Sequence, residues 1–122
     1  MSIQNNPFFV HQAKDRVNHV YIAGPMTGIE EYNFPAFHAA ADELRGAGFT
    51  VHNPADHGLV PGAKREDYLR YDFRELLLCE YIYFLKGWET SDGAKEEYSL
   101  AQRFGLRMMF QPGACALLID ID

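Results

Sequence analysis

Cysteine is scarce in this sequence, with Cys79 and Cys115 the only two among 122 residues. Their spacing matches no metal-ligand pattern, and two cysteines build no disulfide framework. The sequence therefore argues against a zinc-binding module and against a disulfide-stabilised secreted domain. We expect a cytoplasmic protein, because thiols stay reduced in that compartment.

Long apolar runs are also missing. No stretch reaches the roughly 18 consecutive apolar residues of a membrane-spanning helix. The polar opening residues, MSIQNNPFF, lack the basic and apolar regions of a secretory signal peptide. We therefore expect no membrane partner and no secretory signal peptide.

Positive charge is the third shortage. The chain has 11 lysines and arginines against 17 aspartates and glutamates, which gives a net charge of −6. No basic stripe is visible, and such a stripe is what binds a phosphate backbone. We expect no long nucleic acid as a partner. A single nucleoside or nucleotide can still bind through a local pocket that is cationic or rich in backbone amides.

What the sequence does contain suits one compact domain. Hydrophobic residues make up 48% of the chain and aromatic residues 14%, which is enough to build a core. We expect a single domain over residues 1–122. Residues 1–17 show no hydrophobic period and are predicted to form an N-terminal arm.

Strand and helix patterns alternate from residue 19 onward. Short β-rich runs bounded by Gly, Pro or Asn indicate strands, and apolar residues three and four apart indicate helices. Asn33 is a predicted N-cap, with Pro35 in the first turn that follows. The predicted strands cover residues 19–24, 49–54, 80–85 and 106–110, with a fifth over 116–121. The predicted helices begin after Asn33, span about Arg65–Cys79, and span about Asp92–Phe104.

This alternation predicts an α/β fold of the Rossmann-like, flavodoxin-like kind. Short links between strands and helices favour right-handed βαβ units. The sheet should be mostly parallel, with four or five strands and helices on both faces. In such sheets the ligand crevice lies beyond the carboxyl ends of the strands. The loops GPMTG and GWETSDG follow the first and third strands, so both should open at that edge.

Two carboxylates, those of Glu97 and Asp72, lie on helix faces that are expected to be apolar. Glu97 shares a helical stripe with Ala94, Ala101 and Phe104, whereas Glu96 falls off the stripe and can face water. First-turn acids also stabilise the positive end of a helix dipole, and this is the alternative interpretation of Glu96 and Glu97.

Asp72 raises the same question on the second helix. It shares one edge with Tyr68, Leu76 and Cys79, although a solvated boundary position is the simpler interpretation. A pair of carboxylates in a crevice is typical of glycosidic bond cleavage.

Other residues that can bind ligands give weaker signals. The five histidines, which include His57, form no HExxH pattern, so we expect each to be structural or exposed. Trp88 and Tyr32 can stack on a base, although packing in the core or in a lid is the commoner use of such side chains.

Together these segments resemble the nucleoside 2-deoxyribosyltransferase-like superfamily, which includes deoxyribosyltransferases and deoxynucleoside 5′-monophosphate N-glycosidases. The likeness covers about residues 19–110 and is greatest to the short phage and bacterial members. VYIAGP resembles the family's first strand, whose tyrosine, here Tyr21, lines the sugar site. YDFRELLLCEYIYFL resembles the helix with a substrate-binding aspartate, here Asp72, ending at Glu80 where the family usually has Asp. SDGAKEEYSLA resembles the Gly-x-x-x-Glu turn whose glutamate is the nucleophile, here Gly93 and Glu97.

The sequence departs from the family at the start of the third helix. The transferases have Asp six residues before the nucleophile to protonate the base, where this chain has Ser91 followed by Asp92. The monophosphate glycosidases have Ser there, in contact with the phosphate, so Ser91 favours a nucleotide. The family's threonine after the motif glycine is Ala94 here.

The first loop also differs from the family, and this difference argues against phosphate binding. The monophosphate glycosidases use a serine and an arginine of this loop to bind phosphate, and the matching residues here are Pro25, Met26 and Thr27. Lys64 or Arg65 could take over the phosphate contact.

The resemblance implies roles for particular residues. Glu97 would be the nucleophile, Asp72 would position the sugar and handle protons, and Tyr21 would orient Glu97 or the sugar. No metal and no organic cofactor are needed, and a homodimer or larger homo-oligomer is expected. The expected substrate-binding residues are Gly24, Pro25, Met26, Thr27, Gly28, Trp88, Ser91, Asp92 and Gly93.

The expected activity is cleavage or transfer of the N-glycosidic bond of a 2′-deoxynucleoside or its 5′-monophosphate. Two alternatives remain open at this point. One is a non-catalytic protein of the same fold that senses or sequesters a nucleotide. The other is an assembly domain with a vestigial pocket.

Overall fold

The computed structural model describes residues 13–116 as four strands and four helices joined by short loops. The strands are β1 (His19–Ala23), β2 (Thr50–His52), β3 (Tyr81–Phe84) and β4 (Arg107–Phe110). The helices are α1 (Ala13–Arg16), α2 (Phe34–Gly46), α3 (Arg65–Leu77) and α4 (Asp92–Phe104). Single 3₁₀ turns cover Glu30–Asn33, Pro54–His57 and Trp88–Thr90.

The four strands form one fully parallel sheet in the order β2–β1–β3–β4. This confirms the predicted Rossmann-like α/β fold. In the register, Tyr21 of β1 stands opposite His52 of β2 on one side and Ile82 of β3 on the other. Residues 117–121 of the predicted fifth strand lie outside the described part of the chain.

Side chains of β1 alternate between the two faces of the sheet, as a strand buried on both sides requires. Val20 and Ile22 pack in the cluster that includes α2. Tyr21 and Ala23 point the other way, into the cluster that includes α3 and α4. Helices therefore cover both faces, and Tyr21 is directed toward α4.

The strand order reverses between β1 and β3. From β1 the chain passes through α2 to β2 on one side, and after α3 it returns to β3 on the other side of β1. The loops that leave the carboxyl ends of β1 and β3 therefore diverge, and this is where open α/β sheets bind ligands. Gly24, directly after β1, allows close packing here, because a Cβ at this position would lie 2.9 Å from Leu85 Cβ.

Several local expectations are corrected. Asn33 precedes α2 but makes no side-chain cap, since it adopts a left-handed conformation and its amide donates to the Pro25 carbonyl at 2.9 Å. The predicted arm contains the one-turn helix α1. Helix α3 ends at Leu77, two residues before the predicted end. Within residues 13–116, no helix combines the length and apolarity needed to cross a membrane.

Candidate active site

A cavity of about 700 Å³ opens at the carboxyl ends of β1 and β3. Its position agrees with the crevice expected from the strand order. Apolar side chains, including Phe34, Phe37 and Leu69, form much of its wall. The predicted site residues that line it are Gly24, Pro25, Met26, Thr27, Asp72, Ser91, Asp92, Gly93 and Glu97.

Glu97 is a buried carboxylate on the first half of α4. Ser91 starts this helix by accepting a hydrogen bond from the Ala94 amide at 3.1 Å. Helical periodicity then turns Ala94, Glu97 and Ala101 inward, with Glu97 only 7% exposed. This confirms the predicted inward position of Glu97, and Glu96 is exposed as predicted. Phe104, in the last turn of α4, is 58% exposed and departs from the predicted stripe.

Burial governs the electrostatics of Glu97. The pKa of its carboxyl is raised to about 8, and loss of solvation is the largest cause. The hydrogen bond from Tyr21 opposes this increase, and the charges of Asp72 and Glu96 contribute to it. The carboxyl therefore carries a proton through most of the neutral range. A chemical step that needs the carboxylate must first remove this proton.

Tyr21 holds Glu97 from inside the core. Its hydroxyl donates to Glu97 Oε2 at 2.5 Å, and the ring is 1% exposed. Burial and the charge of Glu97 raise the pKa of Tyr21 well above its usual range, so the hydroxyl keeps its proton and remains a donor. Tyr21 does not line the 700 Å³ cavity. Its described contact with the cavity wall is therefore the hydrogen bond to Glu97.

Asp72 enters the same cavity from α3. Its Oδ1 lies 3.3 Å from His57 Nε2, and the side chain is 15% exposed. The pKa of Asp72 is raised to about 6, mainly by burial. The neighbouring His57 opposes this increase, and the charge of Glu75 contributes to it. The cavity thus contains two carboxyl groups with different proton affinities, a condition that lets two acids take different roles.

The structure places Trp88, a predicted substrate-binding residue, in the core and not in the cavity wall. The side chain is fully buried and does not line the cavity. Its indole stacks on Tyr98 and packs against Phe84, and Nε1 donates to the Cys115 carbonyl at 2.8 Å. Gly28 is also absent from the described wall of the cavity. Tyr32, by contrast, lines the cavity and is 48% exposed.

The start of α4 has a structural role in addition to lining the cavity. Because the Ser91 hydroxyl oxygen caps the Ala94 amide, the side chain is already held by the helix. A Cβ added at Gly93 would meet no atom closer than Ser91 Oγ, which lies 3.9 Å away. The absence of a side chain therefore leaves cavity space open and does not relieve a clash.

Comparison with known protein families shows which family the chain belongs to. A family model described as a domain of unknown function (DUF4406) matches residues 18–110. The chain belongs to the DUF4406 family. A comparison with curated protein sequences gave no significant match.

A solved structure shows the same fold as this DUF4406 domain. It is a 2-deoxyribosyltransferase from the psychrotolerant bacterium Bacillus psychrosaccharolyticus, characterised as a biocatalyst for nucleoside synthesis. The two chains are 20% identical, and the superposition has a TM-score of 0.66 over 84% of this chain and 79% of the transferase. The fold of the DUF4406 domain is therefore that of a deoxyribosyltransferase.

His57 is a titratable cavity residue that the sequence analysis did not select as a site residue. It lies at the end of the 3₁₀ turn after β2 and lines the cavity beside Asp72. A signal was available, because loops after parallel strands all emerge at the ligand edge and ADHG follows the second predicted strand. The pairing with Asp72 depends on tertiary structure and has no local pattern.

Proposed function

We propose that this protein cleaves or transfers the N-glycosidic bond of a 2′-deoxynucleoside or its 5′-monophosphate, with Glu97 as the nucleophile. The observation that carries the proposal is the Glu97 carboxyl, which is buried, held by the Tyr21 hydroxyl, and directed into a cavity shared with Asp72. An acid without a reaction to perform would be more stable exposed, as Glu96 is.

In the proposed reaction, Glu97 attacks C1′ of the sugar as the bond to the base breaks. The transition state has oxocarbenium character, and its positive charge favours an ionised carboxylate beside it. The product of this step is a covalent deoxyribosyl-enzyme. Water or a second base then attacks C1′ and releases Glu97.

Asp72 has a separate role in this proposal. With the pKa raised only to about 6, it is mostly ionised at neutral pH, when Glu97 still holds its proton. An ionised Asp72 can accept a hydrogen bond from a sugar hydroxyl and so fix C1′ in front of Glu97. Asp72 also takes part in proton transfer, as the two proton affinities allow.

The charge of the cavity favours an uncharged nucleoside over a monophosphate. Three carboxyl groups line the cavity, those of Asp72, Asp92 and Glu97. Among its described lining residues, Arg65 is the single lysine or arginine, and its guanidinium lies 3.5 Å from Glu96. A phosphate dianion would meet more negative than positive charge here. We therefore propose 2′-deoxynucleosides as the better substrates.

The test is incubation of the purified protein with a panel of 2′-deoxynucleosides and their 5′-monophosphates, with and without an acceptor base. Chromatography follows the free base and any new nucleoside. We expect base release, faster from nucleosides than from monophosphates. A new nucleoside that forms only with the acceptor base present identifies a transferase. Absence of any product over long incubation contradicts the proposed function.

One observation supports a second candidate, a protein that binds a nucleotide without turnover. At neutral pH most Glu97 side chains are protonated, and a protonated carboxyl is a hydrogen-bond donor and a poor nucleophile. Thermal denaturation of the same samples separates the candidates. A ligand-induced rise in the melting temperature without product formation favours binding alone, because a ligand bound only by the folded state stabilises it.

Tyr21→Phe tests how Glu97 is activated. Loss of a hydrogen bond to a charged group costs enough to lower kcat/KM about 10-fold to 100-fold at pH 7. Because the Tyr21 hydroxyl lowers the pKa of Glu97, its removal raises that pKa. We therefore expect part of the lost activity to return between pH 7 and pH 9.

The matched control for this variant is Tyr83→Phe. Tyr83 lies on β3 and packs in the cluster that includes α2, on the other face of the sheet. This control should keep its activity within about threefold, as expected of a change outside the site. Equal losses in the two variants, or a Tyr21→Phe loss that does not depend on pH, would contradict the assigned role.

A further inference from the structure

The loop that leaves β1 is closed by one side chain. The Asn33 amide group donates to the Pro25 carbonyl at 2.9 Å, eight positions back along the chain. We call residues 25–33 the clasped loop. Inside it, the Tyr32 backbone amide donates to the Ile29 carbonyl at 2.9 Å and closes a smaller turn. These bonds join the two ends of the loop and fix the turn between them.

The end of the clasped loop has a strained backbone. Glu31, Tyr32 and Asn33 all adopt left-handed conformations, with φ angles of 54°, 53° and 61°. A left-handed residue brings its Cβ close to the carbonyl that follows, and asparagine tolerates this better than bulkier residues do. Strained residues of this kind persist only where the surrounding structure fixes them, and they cluster at sites that bind ligands.

The sequence excludes the simplest way to relieve this strain. If Glu31 and Tyr32 became right-handed, they would extend α2 backward. Pro35 prevents this extension, because the ring of a proline inside a helix clashes with the carbonyl four residues before it, here that of Glu31. Asn33 precedes α2 but provides no side-chain cap, since its amide group binds Pro25 instead. Closure of the loop therefore takes the place of a helix cap.

The clasped loop forms part of the cavity wall. Ile29 and Tyr32 are 39% and 48% exposed, although both side chains are largely apolar. At the other end of the loop, Pro25 is buried beside Gly87, where an added Cβ would lie 3.4 Å from Pro25 Cγ. A ligand that enters the cavity would cover apolar surface that is already held in place. The loop residues that line the cavity are Pro25, Met26, Thr27, Ile29 and Tyr32.

We propose that Asn33 is a positioning residue that preorganises the clasped loop, so that a nucleoside meets a cavity wall that is already formed. This inference rests on the proposed function for the identity of the ligand. A loop that must become ordered on binding lowers affinity, because its lost conformational freedom opposes association. In this protein the loop is ordered, and its backbone strained, when the chain folds. Binding then carries neither cost.

The first test is hydrogen exchange, which needs no turnover. Asn33→Gly removes the donor to Pro25 and keeps a residue that adopts the left-handed conformation readily. We expect the amides of residues 26–32 to exchange about 10-fold faster in this variant, as the loss of one hydrogen bond allows. The best-bound 2′-deoxynucleoside of the panel should restore their protection, because the ligand then orders the loop. Exchange at the wild-type rate, or no restoration by the ligand, would overturn the inference.

Asn18→Gly is the matched control for this variant. Asn18 is also a left-handed asparagine, with φ 68°, but it precedes β1 and is not among the described residues that line the cavity. The control should leave hydrogen exchange in the clasped loop and KM unchanged.

Asn33→Asp provides an independent comparison. Aspartate also tolerates the left-handed conformation, but an ionised carboxylate has no hydrogen to donate to Pro25. Faster exchange in this variant cannot come from the flexibility of glycine. We expect the same increase as in Asn33→Gly, and Asn33→Asp replaces that variant in every measurement if glycine prevents folding.

The second test separates binding from chemistry. On a 2′-deoxynucleoside we expect Asn33→Gly to raise KM about 5-fold to 10-fold and to leave kcat within about twofold. The reason is that the cavity wall must be ordered before the chemical step, and the bound ligand then holds it. A fraction of misfolded protein would instead lower kcat at an unchanged KM. That result would overturn the role of Asn33 as a positioning residue.

Glu31→Gly tests whether the strain or the clasp determines the wall. The Glu31 side chain is exposed and is not among the described lining residues. Because glycine adopts the left-handed conformation readily, the melting temperature should stay the same or rise by up to about 5 °C. KM should stay within about twofold, since the bond from Asn33 to Pro25 remains. A rise in KM as large as that of Asn33→Gly would contradict the assigned role of Asn33.

The outcomes separate this inference from the proposed function. Absence of turnover would overturn the proposed function, whereas faster exchange and a smaller ligand-induced rise in the melting temperature of Asn33→Gly would uphold the preorganised wall. Turnover with equal exchange rates and equal KM values in Asn33→Gly and the wild type would overturn the wall and leave the proposed function standing. Absence of any nucleoside binding would overturn both.

Discussion

Glu97→Gln is expected to stop base release while the protein stays folded. The amide has the size of the carboxyl but cannot attack C1′, so no covalent intermediate can form. Removal of a nucleophile lowers turnover by roughly 10³-fold or more. Chromatography of the free base measures this loss, and intact-mass spectrometry of a quenched reaction should show a deoxyribosyl adduct on the wild type alone.

The adjacent Glu96 provides a matched control. Glu96→Gln makes the same chemical change one residue away on α4, at a side chain that is 49% exposed and paired with Arg65. It should keep base release within about threefold, as surface substitutions generally do. If Glu97→Gln turned over at the rate of Glu96→Gln, the nucleophile would have to be another group.

The second large effect is a pH-dependent change in stability. The carboxyl of Glu97 has a pKa of about 8 in the folded protein, above its ordinary value of 4.5. Between these values the folded protein holds a proton that the unfolded chain has released, so the free energy of unfolding falls as the pH rises. The stabilising contribution of this proton is complete below pH 4.5 and is lost as the pH passes 8.

Glu97→Gln removes this titration. One pKa unit corresponds to about 1.4 kcal/mol, so wild type should lose about 4 kcal/mol relative to Glu97→Gln between pH 5 and pH 9. Urea unfolding of both proteins at each pH unit across this range gives the difference. Asp72 contributes in the same direction at lower pH, but it is present in both proteins and its contribution cancels to first order.

Glu96→Gln is again the comparison, because its free energy of unfolding should stay parallel to that of the wild type. A flat difference between wild type and Glu97→Gln would mean that Glu97 is ionised in the folded protein at neutral pH. That result would remove the specific support for a protein that binds without turnover, and it would make Glu97 a nucleophile that needs no activation.

Much of the fold was accessible from the sequence. The predicted third helix, Asp92–Phe104, has the bounds that the structure shows, because Ser91 caps its first turn and Gly105 ends it in a left-handed conformation. The strands were placed to within two residues at each end, since β-rich runs between glycine and proline signals mark them. Asn33 was less predictable, because its amide finds a carbonyl from an earlier loop.

The site was accessible in part. Helical period alone turns Glu97 inward and Glu96 outward, so the unusual carboxylate could be recognised without a structure. Trp88 was not predictable in the same way. It lies in a 3₁₀ turn, where no period indicates the direction of a side chain, and a core with Tyr98 and Phe84 takes it in.

The sequence by itself determined the layered α/β architecture, the edge at which the cavity opens, and the inward direction of Glu97. These follow from backbone periods and from the parallel connection of the strands, which act over short distances along the chain. Only the tertiary structure decided the partners of the two carboxyls. Tyr21 reaches Glu97 across 76 residues of sequence, and His57 reaches Asp72 from the turn after another strand. Such pairings depend on sheet register and loop path, because no local pattern encodes which side chains converge in space.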